Sequence, residues 1–162
     1  MYENIPTDLY TTIHRRMPIV CIDCVVVYEN KVLLVKRKRE PMKDQWWFPG
    51  GRLLKEERMS KAVHRIVSAE TGVSIRMPQL LGFDETIFKA DPFGHNEGTH
   101  TVNFVYASNI SHMAMMKVVL DENHLDHQAF SFDEIYRSNM HAYVKRFSAM
   151  AEGVIKNSAI IQ

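Results

Sequence analysis

From residue 50 to residue 73 the chain reads Gly50-Gly51-Arg52-Leu53-Leu54-Lys55-Glu56-Glu57-Arg58-Met59-Ser60-Lys61-Ala62-Val63-His64-Arg65-Ile66-Val67-Ser68-Ala69-Glu70-Thr71-Gly72-Val73. Ala62, Val63, Ile66, Val67 and Ala69 recur at three- and four-residue steps, which predicts a helix over Met59 to Thr71. Gly72 ends it as a C-terminal cap. Ahead of the helix, Gly50-Gly51 permits a tight turn whose backbone groups reach a ligand without interference from a Cβ. The segment is thus a strand end, a turn, a basic loop and a helix with one late carboxylate, Glu70.

Upstream, Pro18–Tyr28 and Lys31–Arg37 are apolar, β-rich runs separated by Glu29-Asn30, the pattern of a hairpin. Both runs are apolar on both faces, so the sheet they enter is covered on two sides. Pro6 to Arg16 reads as a short helix with Thr7 or Asp8 as its cap, and Gln45–Pro49 as a short extended piece. Downstream, Leu80–Lys89 and Thr101–Ser108 read as strands joined by a polar loop containing Asp91-Pro92, Gly94 and Gly98. Phe130–Phe132 reads as a last short strand, and Asp133–Ser138 and Met140–Lys156 as helices. Strands that bracket a central helix, followed by a late helix, make a mixed β-sheet between helical layers. The expectation is an α/β/α sandwich, a single domain over residues 1–162.

The composition suits this: 162 residues, 46% hydrophobic and 24% charged, exclude disorder, collagen-like repeats and coiled coil. Twenty Lys/Arg against nineteen Asp/Glu leave a net charge of +1. The molecule as a whole therefore has no field to attract nucleic acid or anionic lipid. No apolar run reaches the ~18–20 residues that span a bilayer, and Met1 to Pro6 lacks the basic and apolar regions of a signal peptide. Cys21 and Cys24 have C-x-x-C spacing, but they sit on a strand, where residues three apart face opposite sides. We expect two reduced, buried thiols and a cytoplasmic protein. Trp46, Trp47 and Phe48 read as core, and the ten methionines, Met113, Met115 and Met116 among them, as core filler or an interface.

The residue 50–73 spacing resembles the Nudix box, G-x5-E-x7-R-E-U-x-E-E-x-G-U with U a bulky aliphatic: Gly51, Glu57, Arg65, Val67, Glu70, Gly72 and Val73 fall in register. The family's loop–helix binds divalent metal and hydrolyses nucleoside diphosphates linked to another group. Ile66 and Ala69 stand where the full box has glutamates. This variant resembles the GDP-mannose mannosyl hydrolase branch, as do Pro18–Asp23, Leu33–Arg37, Trp46–Arg52 and the loop Leu120-Asp121-Glu122-Asn123-His124. Positions 66 and 70 lie one turn apart on one helical face, so with Ile66 only one carboxylate remains there, and one Mg²⁺ is expected rather than a cluster.

The resemblance implies Mg²⁺ on Glu70, the Gly50 carbonyl and the side chain at position 123, where Asn123 replaces the branch's Gln. A carboxylate at a helix C-terminus is disfavoured by the helix dipole, which also argues for a cation beside Glu70. His124 is the implied general base. The residues alone leave His127 as its rival and Asp126 as a group able to orient either ring. Arg37 and Arg52 are candidate diphosphate clamps, since guanidinium binds phosphate bidentately and keeps its charge. Lys36 to Arg39 could equally be a solvated strand end, and the resemblance singles out Arg37, as a catalytic as well as a binding residue. Asp23 interrupts an apolar strand and needs a partner, either one of these arginines or the substrate. Glu57 and Arg65 are expected to pair and brace the loop. The resemblance implies hydrolysis of a GDP-mannose-like nucleotide sugar to GDP and free sugar by attack at the anomeric carbon, and, since the branch is dimeric, a homodimer. The alternatives are a conventional nucleoside-diphosphate pyrophosphatase and a non-catalytic nucleotide-binding module.

Overall fold

Alternate side chains of the strand Ile19–Tyr28 enter two separate cores, and this divides the molecule into layers. The computed structural model describes residues 5–159, without the side chains of 156–159. Residues 1–4, most of the segment read for a leader, lie outside that range. In chain order the elements are α1 (Thr7–Arg16), β1 (Ile19–Tyr28), β2 (Lys31–Arg37), β3 (Trp46–Trp47), β4 (Gly50–Arg52), α2 (Met59–Thr71), β5 (Gln79–Phe88), β6 (Thr99–Asn109), α3 (His112–Met115), β7 (His124–Ser131), α4 (Phe132–Arg137) and α5 (Ala142–Ala159).

The seven strands form one mixed sheet in the order β3-β2-β1-β6-β5, with β4 added to β1 and β7 to β2. Only β1 and β6 pair in parallel, from Ile19↔Thr101 to Val27↔Asn109; the other pairs are antiparallel. On one face Ile22, Cys24, Val26 and Leu33 pack against Ala62, Val63, Ile66 and Val67 of α2. On the other, Val25, Val27, Val32 and Leu34 meet Phe132 and Ile135 of α4 and Tyr143, Val144 and Phe147 of α5. Helices thus cover both faces, as the two-sided apolar strands require.

The helix over Met59–Thr71 has the expected bounds and ends at Gly72 with φ 68°. Glu29 and Asn30 have φ 44° and 60°, the positive pair of a two-residue hairpin turn that matches strand twist. Trp47 and Phe48 are buried in the core, as expected. Cys21 and Cys24 are free thiols, the first half-buried and the second buried. No helix among the described residues is long and apolar enough to cross a membrane.

Other expectations need correction. Helix α1 is capped by Pro6 rather than Thr7 or Asp8, with no side-chain cap bond; the Pro6 carbonyl accepts from Tyr10 N–H at 2.8 Å. The last strand is not three residues but eight, and it runs the length of β2, from Lys31↔Ser131 to Arg37↔His124. Its side chains are mixed in polarity and half-buried or exposed, so no clean alternation marks it. Met113 and Met116 are exposed and fill no core, although Met115 packs on the α2 side.

Helix α4 opens on a capping box. Ser131 Oγ accepts from Glu134 N–H at 3.2 Å, while the Glu134 carboxylate accepts from Ser131 N–H at 2.7 Å. Replacing Ser131 by Ala should cost about 1 kcal/mol, read as a lowered denaturant midpoint with an unchanged slope.

Candidate active site

The loop before α2 is fixed first. Arg65 Nε and Nη2 donate to Glu57 Oε1 and Oε2 at 2.7 and 2.8 Å, and Nη2 also donates to the Arg52 carbonyl at 3.0 Å. Glu57 closes the loop by accepting from Leu54 N–H at 3.2 Å. The Arg65 hydrogen bonds outweigh burial and hold the Glu57 carboxyl below its ordinary range. This is the expected brace. It sets the register of α2, whose next inward positions are Ile66 and Glu70.

Ile66 is buried and faces Gly51, so that position serves packing and offers no ligand. Glu70, one turn on, reaches back across the turn, and its Oε2 accepts from Gly50 N–H at 2.9 Å. Gly50 pairs with Asp23 across β4 and β1. A Cβ at Gly50 would lie 1.9 Å from Asp23 Oδ1, so a side chain there is incompatible with the Asp23 carboxylate. Burial pushes the Glu70 carboxyl up to about 8, with Asp121 and Asp23 adding to the rise and Gly50 N–H and Arg37 opposing it. Burial likewise raises Asp23 to about 6. Asp23 does have a protein partner, which the sequence reading did not identify: the Tyr143 hydroxyl of α5 donates to its Oδ2 at 2.5 Å.

His124 begins β7, opposite Arg37 of β2, and its side chain is buried. Its Nδ1 bonds to Asp121 Oδ1 at 2.7 Å, and its Nε2 lies 3.8 Å from Glu70 Oε2. The orienting carboxylate is therefore Asp121, not Asp126, which instead accepts from the His127 backbone N–H. Burial acts to raise the Asp121 carboxyl, but hydrogen bonds from Asn123 and His124 outweigh it and hold it below its ordinary value. Asn123 Nδ2 donates to Asp121 Oδ2 at 2.9 Å, an arrangement that leaves its amide oxygen free of that contact. An aspartate three residues before a histidine was the signal available for this pair.

A cavity of about 300 Å³ opens over these groups. Asp23, Arg37, Gly50, Glu70, Asn123 and His124 all line it, so six of the seven candidate residues come together. Arg37 Nε is held by the Pro41 carbonyl at 2.8 Å. Arg52, the seventh, stands behind the wall with its guanidinium 4.4 Å over the ring of Tyr10, which does line the cavity. Its Nη1 is buried without a hydrogen-bond partner among the described residues. His127 does not line the cavity. Two further groups line the cavity, an aromatic one of Tyr10, His14 and Phe93 and a polar floor of Thr86, Thr101 and Asn103; Tyr10, His14 and Thr101 among them carried no sequence signal for a site. On that floor Thr86 and Thr101 share a hydroxyl hydrogen bond of 2.7 Å.

Three carboxylates near one another, with Glu70 raised by burial and by the other two, form a site that favours a positive charge. Among the described residues no three His, Cys, Asp or Glu side chains are grouped as a metal cluster requires. A carboxylate, a backbone carbonyl and an amide oxygen remain. These are oxygen donors that fit one hard cation retaining much of its water.

A family profile described as the NUDIX domain matches residues 17–150. The chain is 28% identical over 148 residues to the low-salt glycan biosynthesis protein Agl8 of Haloferax volcanii, covering 89% of this chain and 88% of that one. It is 37% identical over 78 residues to an ADP-ribose pyrophosphatase of Methanocaldococcus jannaschii, 48% of this chain and 46% of that one. The fold superposes on a MutT NUDIX hydrolase from Burkholderia pseudomallei with a TM-score of 0.67 at 26% identity, covering 82% of this chain and 96% of that one. It also matches the NUDIX domain of Shewanella oneidensis NrtR, solved with ADP ribose, with a TM-score of 0.69 at 16% identity, covering 93% and 99%. With the profile spanning both the braced loop–helix and the strand that carries His124, the chain belongs to the NUDIX family of hydrolase folds.

Proposed function

We propose that this chain hydrolyses a GDP-sugar of the GDP-mannose kind to GDP and free sugar, with Mg²⁺ as cofactor and water attacking the anomeric carbon. The observation that carries the reading is the His124–Asp121 pair set against Glu70 in a site where Ile66 has removed the neighbouring carboxylate. The likeness to a relative named for glycan biosynthesis supports a sugar-bearing substrate.

With Nδ1–H donated to Asp121, the neutral imidazole of His124 keeps its Nε2 lone pair for a proton from water. Asp121 holds the ring's tautomer and stabilises the imidazolium that forms. Arg37 pairs with the departing diphosphate and balances its negative charge without giving up a proton. Asp23 lines the cavity and completes the substrate contacts, while Arg52 acts from behind Tyr10, adding positive charge rather than a direct contact. Glu70, the Gly50 carbonyl and the Asn123 amide oxygen would hold the cation, which when bound neutralises charge on the leaving group. A single displacement inverts the anomeric centre.

The second reading is pyrophosphate cleavage, favoured by the likeness to an ADP-ribose pyrophosphatase. Hydrolysis of GDP-mannose in oxygen-labelled water separates the two. Label in the sugar is expected; label in a phosphate product transfers the chemistry to phosphorus. His124→Gln should lower kcat about 10²-fold or more with little change in KM, whereas His127→Gln should leave both intact.

The cation is tested by stability. A carboxyl whose folded-state pKa is raised favours the folded state below its ordinary value, and that contribution is lost as pH rises. For Glu70 without divalent ions, the loss runs from about 4.5 to about 8. Mg²⁺ should therefore raise the melting temperature more at pH 8 than at pH 5, and Glu70→Gln should remove the Mg²⁺ effect and Glu70's share of the slope, most visibly above about pH 6, where the Asp23 contribution has ended.

A further inference from the structure

At the aromatic end of the cavity, two histidines from distant parts of the chain touch. His14 Nδ1 of α1 lies 2.9 Å from His95 Nε2 of the β5–β6 loop. The directions of the surrounding hydrogen bonds decide where the protons are. Glu97 N–H donates to His95 Nδ1 at 3.1 Å, so that nitrogen carries a lone pair. Neutral His95 then bears its proton on Nε2 and donates it to His14 Nδ1. Neutral His14, accepting at Nδ1, must carry its own proton on Nε2.

The loop enforces this arrangement. The Asp91 carboxylate accepts from the backbone N–H groups of Phe93, His95 and Asn96 at 2.8, 3.1 and 2.8 Å. It stands 3.6 Å from His95 Nδ1, beyond hydrogen-bonding distance. Arg15 and Glu97 tie α1 to the same loop by an ion pair. Both histidine side chains are buried, and burial together with His95 lowers the pKa of His14 against the opposing pull of Asp91. The groups facing His14 are thus Tyr10 on its own helix and Phe93, His95 and Asp91 of the loop. His14 Nε2 has no protein partner among the described residues, and His14 lines the cavity.

We infer that His14 is a specificity residue that presents a fixed N–H donor to the ligand, and that it selects a nucleobase with an exocyclic oxo group, guanine in the GDP-sugar reading on which this inference rests. The edge-to-face rings of Tyr10 and Phe93, with centroids 5.4 Å apart, make this end suited to a planar ring. Asp91 stands beside His95 with no arginine or lysine paired to it among the described residues and disfavours an anion at His14, so the phosphates belong at Arg37, which also lines the cavity, and the acceptor at His14 is uncharged. Guanine offers two acceptors on one edge, O6 and N7, where adenine sets an amino donor beside N7. The selection lies at the exocyclic position, because N7 is an acceptor in both bases: where guanine brings O6 to the His14 N–H, adenine brings its amino group, and a donor facing a donor leaves both unpaired. His95 touches no ligand; it is a positioning residue that holds the tautomer.

Binding of GDP, IDP and ADP at saturating Mg²⁺ tests this without any sugar. IDP shares the O6/N7 edge and lacks the 2-amino group. GDP and IDP should bind about tenfold more tightly than ADP, the scale of one hydrogen bond made against one left unmade. In His14→Phe, which keeps a ring among Tyr10 and Phe93, the ratio should fall to about one. The ¹⁵N spectrum of the unaltered protein should show His14 protonated at Nε2 and bare at Nδ1, and His95→Phe should abolish that pattern and shrink the ratio. Equal affinity for GDP and ADP, a preference that survives His14→Phe, or a proton on His14 Nδ1 overturns the inference. Failure of sugar hydrolysis would leave the base preference in place, so the two readings fail separately.

Discussion

Two carboxylates held at one glycine, Asp23 buried and Glu70 half-buried, govern the site. Asp23 comes from β1 and Glu70 from α2, and both are held at Gly50: a Cβ there would lie 1.9 Å from Asp23 Oδ1, and the Gly50 N–H donates to Glu70. The Gly50 N–H satisfies Glu70, and the Tyr143 hydroxyl satisfies Asp23. Neither bond cancels the cost of burying charge, and both carboxyls remain raised. A site left in that electrostatic state favours a cation, and the rest of the cavity is arranged around it.

What the sequence made legible was local. The helix over Met59–Thr71, its glycine cap, the hairpin turn at Glu29-Asn30 and the Glu57–Arg65 brace all depend on residues within one or two turns of each other. Their patterns are complete in a short window. The position of Glu70 followed from the same window, since a residue one turn beyond Ile66 shares its face.

The remaining parts are made by contacts between distant segments, and no window contains them. Strand β7 is recognisable only beside β2, because its own side chains show no clean alternation. Its pairing brings His124 opposite Arg37 and settles which histidine enters the cavity. Tyr143 lies 120 residues from Asp23, and His14 lies 81 from His95. The orienting role of Asp121 was within reach of the sequence, but Asp126 matched the same short-range rule, and geometry chose between them.

The parallel pairing of β1 with β6 has a further consequence. Ile19, Cys21 and Asp23 run in step with Thr101, Asn103 and Val105, and the first members of both sets face the cavity while Val25, Val27, Val105 and Ala107 farther along the same face pack against α5. Each strand is therefore half tool and half girder on a single face, and the two halves are separated along its length. Ligand preference can be retuned from Ile19, Cys21, Thr101 and Asn103 apart from the packed later positions, whereas Asp23, bonded to the core residue Tyr143, is the hinge where selectivity and robustness share one address.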